Sequence, residues 1–155
     1  MTQPPGNLLE MADELSSLER DVIATILAPD HPVMNALRRQ FDRCHVASRE
    51  TTGVGFFTAL EIAPDVVPAP VKCGRMDLGD VTATIEGLEH GVGFVLFAQD
   101  GVLDVLEGFS YVEPWADMNA RYEVRAGGVM HSGGSKTGIE EVDAAWDRSG
   151  DIPGP

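Results

Sequence analysis

Apolar residues recur at three- and four-residue steps through the first part of the chain. Leu8, Met11, Leu15, Leu18, Val22 and Ile26 make one stripe, the spacing of a helix that buries a single side. Asn7 follows Pro4-Pro5-Gly6 and has Glu10 three residues on, so each side chain would satisfy a free amide at the helix start. Glu10, Asp13 and Glu14 lie early, where the helix dipole favours anions, and Pro29 ends the helix. A second helix is expected with Asp30 as its cap, Pro32 in the first turn and Val33, Leu37 and Phe41 along one face. Arg38, Arg39 and Arg43 gather near its C-terminal end, forming the densest basic cluster of the chain.

From His45 onward the period falls to two. Val54, Phe56, Thr58, Leu60 and Ile62 alternate with Gly55, Phe57, Ala59 and Glu61, which predicts a strand. Pro64 to Pro70 reads as an extended loop, because three prolines do not serve a central strand. Val81, Ala83 and Ile85 alternate with Thr82, Thr84 and Glu86 as a half-buried strand. Val92 to Ala98 is apolar throughout and reads as a strand buried on both faces. Asp100-Gly101 tolerates the positive φ angles of a two-residue hairpin turn, and Val102 to Tyr111 returns as the partner strand. Ala120 to Ala126 adds a last strand through Tyr122 and Val124. Gly127 to Gly138 is a Gly/Ser-rich loop, Thr137 and Glu140 open a short helix with Ile139, Val142 and Trp146 on one side, and 149–155 is a frayed end.

The pattern therefore predicts an α+β fold. An N-terminal helix pair packs on a mainly antiparallel sheet of about four to five strands, in one domain over 1–126. A loosely ordered tail follows over 127–155. Gly-Val-Gly-Phe occurs at Gly53–Phe56 and again at Gly91–Phe94; the flanks differ, so the repeat reads as a shared way of starting a strand, with glycine permitting an unusual backbone.

Charge changes this picture more than composition does. The chain has 155 residues and a formal net charge of −14, and its length suits a single domain. Between Arg75 and Arg121 stand nine carboxylates and no lysine or arginine: Asp77, Asp80, Glu86, Glu89, Asp100, Asp104, Glu107, Glu113 and Asp117. A single-sign field of that kind repels nucleic acid and anionic membrane and attracts basic partners. No signal peptide is legible at the N-terminus, and no apolar run approaches the ~20 residues that cross a bilayer. Two cysteines, Cys44 and Cys73, make no CxxC pair and no disulfide framework. A cytoplasmic protein with reduced thiols is the expectation, with a single Cys44–Cys73 bridge as the alternative.

Signals for catalysis are thin. With Asp100-Gly101 as the turn, regular pairing sets Glu107 opposite Phe94, on a face with Leu96, Leu103, Val105 and Phe109. A carboxylate so placed would be desolvated and fit for general acid or base work, and Gly108 would leave room for a ligand. Glu86, Glu89 and His90 form a second cluster, but no HExxH or CxxC spacing supports a metal, and none is expected. Ser48, Ser110 and Ser132 sit in no nucleophile elbow. Gly53 to Thr58 lacks a third glycine and leads into a strand, and Gly133 to Thr137 has Ser135 between glycine and lysine. Neither is a phosphate loop, so no cofactor is expected.

Phe109, Tyr111 and Trp115, beside Asp104 and Glu113, differ in kind. Aromatic anchors ringed by carboxylates suit a basic protein partner; the alternative is that the rings close the end of the core. Ser48–Thr58, Gly87–Phe97 and Asp100–Trp115 resemble parts of small uncharacterised bacterial α+β proteins of no assigned function. That resemblance covers 45–115, implies a bacterial origin and carries no residue role. The leading expectation is a non-enzymatic, immunity- or inhibitor-like module that binds a basic protein through Asp104, Phe109, Tyr111, Glu113 and Trp115. The rival is a small-molecule or hydrolase-like site around Glu107 with Glu86 or His90. A third expectation is a homodimer paired along the Val54–Ile62 strand.

Overall fold

Asp100 and Gly101 adopt φ angles of 51° and 83°, the two successive positive values of a type I′ turn. They join the strands that the sequence predicts most clearly. The computed structural model describes residues 14–72, 74–115, 117, 119–126 and 138–147. Its elements are α1 Ser17–Ile26, α2 Pro32–Phe41, β1 Cys44–Thr51, β2 Gly55–Ile62, β3 Arg75–Ile85, β4 Val92–Gln99, β5 Val102–Ser110, β6 Tyr122–Ala126 and α3 Gly138–Ala145. The strands form one antiparallel sheet in the order β1-β2-β5-β4-β3-β6. Mixed α+β is correct, but the sheet has six strands rather than four or five.

The added strand is β1, whose polar sequence Cys-His-Val-Ala-Ser-Arg-Glu-Thr hides its period because only Val46 is fully buried. It is an edge strand with an irregularity between Val46 and Ser48 and a cation, Arg49, turned under the sheet. Both features discourage pairing with another chain. β2 lies between β1 and β5, so both its edges are taken and the expected dimer pairing along Val54–Ile62 has no free strand to use.

The helices are not an N-terminal pair. α1 packs over β6, β3 and β4, α2 over β5 and against α3, and α3 over β3. Residues 138–147 of the expected tail are thus docked: Val142 is fully buried, Val71 bridges Trp146, and Lys72 N–H donates to Ala145 O at 2.8 Å. The proposed helix start at Asn7 and Glu10 lies outside the described residues. α1 begins instead with a capping box in which Ser16 and Glu19 each accept from the other's amide, at 3.1 and 2.7 Å. α2 is capped one residue later than expected, by His31, whose Nδ1 accepts from Val33 N–H at 3.1 Å.

All three helices cover one face of the sheet. Beneath them lie Phe56, Leu60, Leu78, Val81, Phe94, Leu96, Leu103 and Leu106 with Val22, Ile23 and Leu37. Two buried polar side chains tie helices to strands. Gln40 of α2 donates to Gly101 O at 2.8 Å and accepts from Leu103 N–H at 2.9 Å, so it holds the hairpin turn. Glu19, 2% exposed, accepts from Arg49 Nε and Nη2 at 3.0 and 2.7 Å and from the Thr58 hydroxyl. One carboxylate thereby caps α1 and fixes it to β1 and β2. Removing the partner of such a charge leaves it buried and uncompensated. Arg49→Ala should therefore lower stability in urea denaturation by about 2–3 kcal/mol, since the arginine is itself partly solvated. A loss near zero would mean that the pair holds nothing together.

Candidate functional site

Strand pairing fixes which side chains share the uncovered face. β4 and β5 pair Gln99 with Val102 and Ala98 with Leu103, but then Phe97 with Val105, so Asp104 is bulged out. The slip carries Leu106 into the core and turns Glu107 away from it, opposite Val95 rather than Phe94. Glu107 is therefore not the desolvated carboxylate that regular pairing implies. It stands half-exposed on the open face. Nor does Gly108 leave room for a ligand: a Cβ there would lie 2.6 Å from the Phe56 ring and 3.0 Å from that of Phe94. The core has filled the space.

Side chains aligned across this face follow from the registers. Glu50 faces Phe57, Phe57 faces Glu107, and Glu107 faces Val95. One row along, Ser48, Ala59, Val105, Phe97 and Asp77 align. Phe109 stands opposite Gly93, where the absent side chain lets its ring and the Tyr111 hydroxyl cross the sheet. Those two rings meet edge to face at 5.6 Å. Phe57 and Tyr111 are 39% and 48% exposed, so no helix screens them.

Two arginines on this face, among the described residues, are already engaged. The Arg75 guanidinium lies 4.1 Å over the Phe97 ring and pairs with Asp77 at 2.9 Å, and Arg125 pairs with Glu123 at 3.8 Å. Among the described residues, Glu50, Glu61, Asp104 and Glu107 have no ion-pair partner. The face combines half-exposed rings with uncompensated negative charge.

Other proposed site residues go elsewhere. Trp115 is 2% exposed, with Phe56 and Phe94 at 5.5 and 6.1 Å. The core captures its indole, so it cannot anchor a partner. Glu113 accepts from the amides of Glu89 and His90 at 2.9 and 3.0 Å and lies 3.2 Å from His90 Nδ1. Those amides, Glu89 first, hold its carboxyl below the usual range. Glu89, His90 and Glu113 have ligand-type atoms within 4.8 Å of one another, but the amides already occupy the Glu113 oxygens, and the cluster closes a turn. His90 lies in the turn before β4, on the far side of Gly91 from the strand, and Glu86 is exposed beyond the end of β3. Glu107, Glu86 and His90 are not brought together.

Two clefts open elsewhere. One, of about 420 Å³, is lined by Ser16, Ser17, Leu18, Asn119, Ala120, Arg121 and Tyr122. The other, of about 270 Å³, lies between α3 and the start of β3, lined by Lys72, Arg75 and Glu141 among others. Neither contains Glu86, His90 or Glu107. Cys44 is half-buried, and burial pushes its thiol up, the opposite of activation; the alternative bridge to Cys73 lies outside the described residues.

Comparison with protein-family models, with curated proteins and with solved structures finds no match to the chain. Among the described residues no helix is long and apolar enough to cross a membrane.

At the rim of the larger cleft, the Tyr122 hydroxyl donates to Asp21 at 2.6 Å, pinning β6 to α1. That bond, with some burial, pushes the Tyr122 phenol up to about 12 from its ordinary 10.0. A raised value means that the bond stabilises the fold fully below pH 10 and is lost as pH climbs towards 12. Ultraviolet titration of Tyr111→Phe, which leaves Tyr122 as the single tyrosine, should give a midpoint near 12. Adding Asp21→Asn should bring it down, and an unchanged midpoint would discard the bond as the cause.

Proposed function

We propose that this chain is a non-enzymatic protein-binding module, acting in the bacterial cytoplasm, that recognises a basic protein through the open face of its sheet. The supporting observation is the coincidence of half-exposed Phe57, Phe109 and Tyr111 with Glu50, Asp104 and Glu107, which have no ion-pair partner among the described residues. Aromatic rings supply contact area at small entropic cost. Carboxylates without partners supply a field that steers a cationic surface and rejects an anionic one. The overall charge of −14 acts in the same sense, and it opposes stacking this face against a second copy.

An immunity- or inhibitor-like role, in which the acidic face covers the working surface of a basic toxin or enzyme, fits this chemistry by analogy of charge and size. The binding set changes accordingly. Asp104, Phe109 and Tyr111 stay in it and Glu107, Glu50 and Phe57 join it. Glu113 serves its turn, and Trp115 serves the core. The hydrolase-like alternative has no supporting geometry, because its carboxylates and histidine lie apart.

The reading is tested by capture from the source lysate on parallel columns of the wild type and of Asp104→Lys/Glu107→Lys. A basic protein held by the wild type should elute as salt rises past about 0.15 M, where screening falls within ~8 Å. The reversed variant should bind it at least about tenfold more weakly. Retention indifferent to both salt and charge reversal would overturn the proposal.

A further inference from the structure

The geometry points to a seat for a single arginine side chain of the partner on the row Glu50–Phe57–Glu107, a site that deepens the proposed function and rests on it. Direct cross-strand neighbours on one face have Cβ atoms roughly 5 Å apart. Glu50 faces Phe57 on the adjoining strand, and Phe57 faces Glu107 on the next. An aromatic ring is thus flanked on both sides by carboxylates, on the neighbouring strands β1, β2 and β5. Phe57 is 39% exposed, and among the described residues neither glutamate has an ion-pair partner.

The same face already holds one guanidinium on an aromatic ring, with a single carboxylate beside it. Arg75 lays its guanidinium 4.1 Å over the Phe97 ring while its Nε donates to Asp77 at 2.9 Å. Phe97 and Phe57 point the same way, Phe97 lying in the neighbouring row of side chains. The chain therefore shows a guanidinium stacked on a ring beside one carboxylate, and sets a second ring between two carboxylates.

The row selects a guanidinium over an ammonium. A guanidinium is planar, stacks on a ring, and still presents edge N–H groups to carboxylates at both sides. A lysine ammonium is a compact, strongly hydrated charge that gains less from the ring face. Val95 is next in the row after Glu107 and adds apolar surface there. A partner with arginine at the centre of its contact surface fits better than one rich in lysine alone.

The test compares two capped peptides, one of three Gly-Arg repeats and one of three Gly-Lys repeats, titrated at low salt into the labelled full chain. The arginine peptide should bind roughly two- to fivefold more tightly and should shift the Phe57 ring resonances. Phe57→Leu keeps an apolar side chain and should remove that preference while leaving weak attraction to both peptides. Glu107→Gln should weaken both. Equal affinity for the two peptides, or a preference that survives Phe57→Leu, would overturn the arginine seat while leaving the acidic-face reading intact. Failure of both peptides to bind, together with lysate capture indifferent to charge, would remove both.

Discussion

A single extra residue in β5 decides what this sheet shows to solvent. Without the bulge at Asp104, strict alternation would put Leu103, Val105, Glu107 and Phe109 on one side and Leu106 with Gly108 on the other. Leu103 and Leu106 would then compete for the core from opposite sides, and Glu107 would be desolvated if Leu103 and its neighbours won. The bulge resolves the conflict by letting Leu103 and Leu106 both point inward, since an inserted residue shifts the phase of everything beyond it. Burying Leu106 and leaving Glu107 in water are favourable together. Exposure of Phe109 and Val105 is the cost of that choice, and the open aromatic face is its product.

The covered side depends on a small number of buried polar groups placed where helices must be held at fixed positions. Glu19 serves two ends at once, as the cap of α1 and as the acceptor for Arg49 and Thr58. Gln40 does the same for the hairpin turn. Apolar packing favours several nearby placements of a helix over a sheet, and directional bonds select among them. The strand registers set the spacing of the row of side chains on the far side.

Much of the fold is legible because it rests on local chemistry. Asp100-Gly101, the apolar run of β4 and the proline loop each announce themselves through backbone preference. The positive φ angles at Gly53 and Gly91 likewise match the two Gly-Val-Gly-Phe strand starts. Elements that depend on distant contacts are not legible in the same way. β1 reads as polar because it is an edge, and the bulge at Asp104 is set by competition for a core that no local window contains. The apolar stripe carries the expected helix straight through Ser16-x-x-Glu19, which hides that capping box, and the second role of Glu19 needs Arg49 and Thr58 to arrive. Trp115 shows the limit for the site itself: an aromatic among acids has the composition of an interface, and only the positions of Phe56 and Phe94 place it inside. Acid-rich sequence foretold a charged surface, but not which carboxylates would be left without partners.

Everything claimed for the open face follows from the β4–β5 register, so that register is the place to measure. Cross-strand nuclear Overhauser contacts from Glu107 in the isotope-labelled protein would report it directly. The structure requires contacts from Glu107 to Val95 on one side and to Phe57 on the other. Contacts to Phe94 instead would mean a sheet without the bulge, with Glu107 turned into the core and no such row of side chains on its surface.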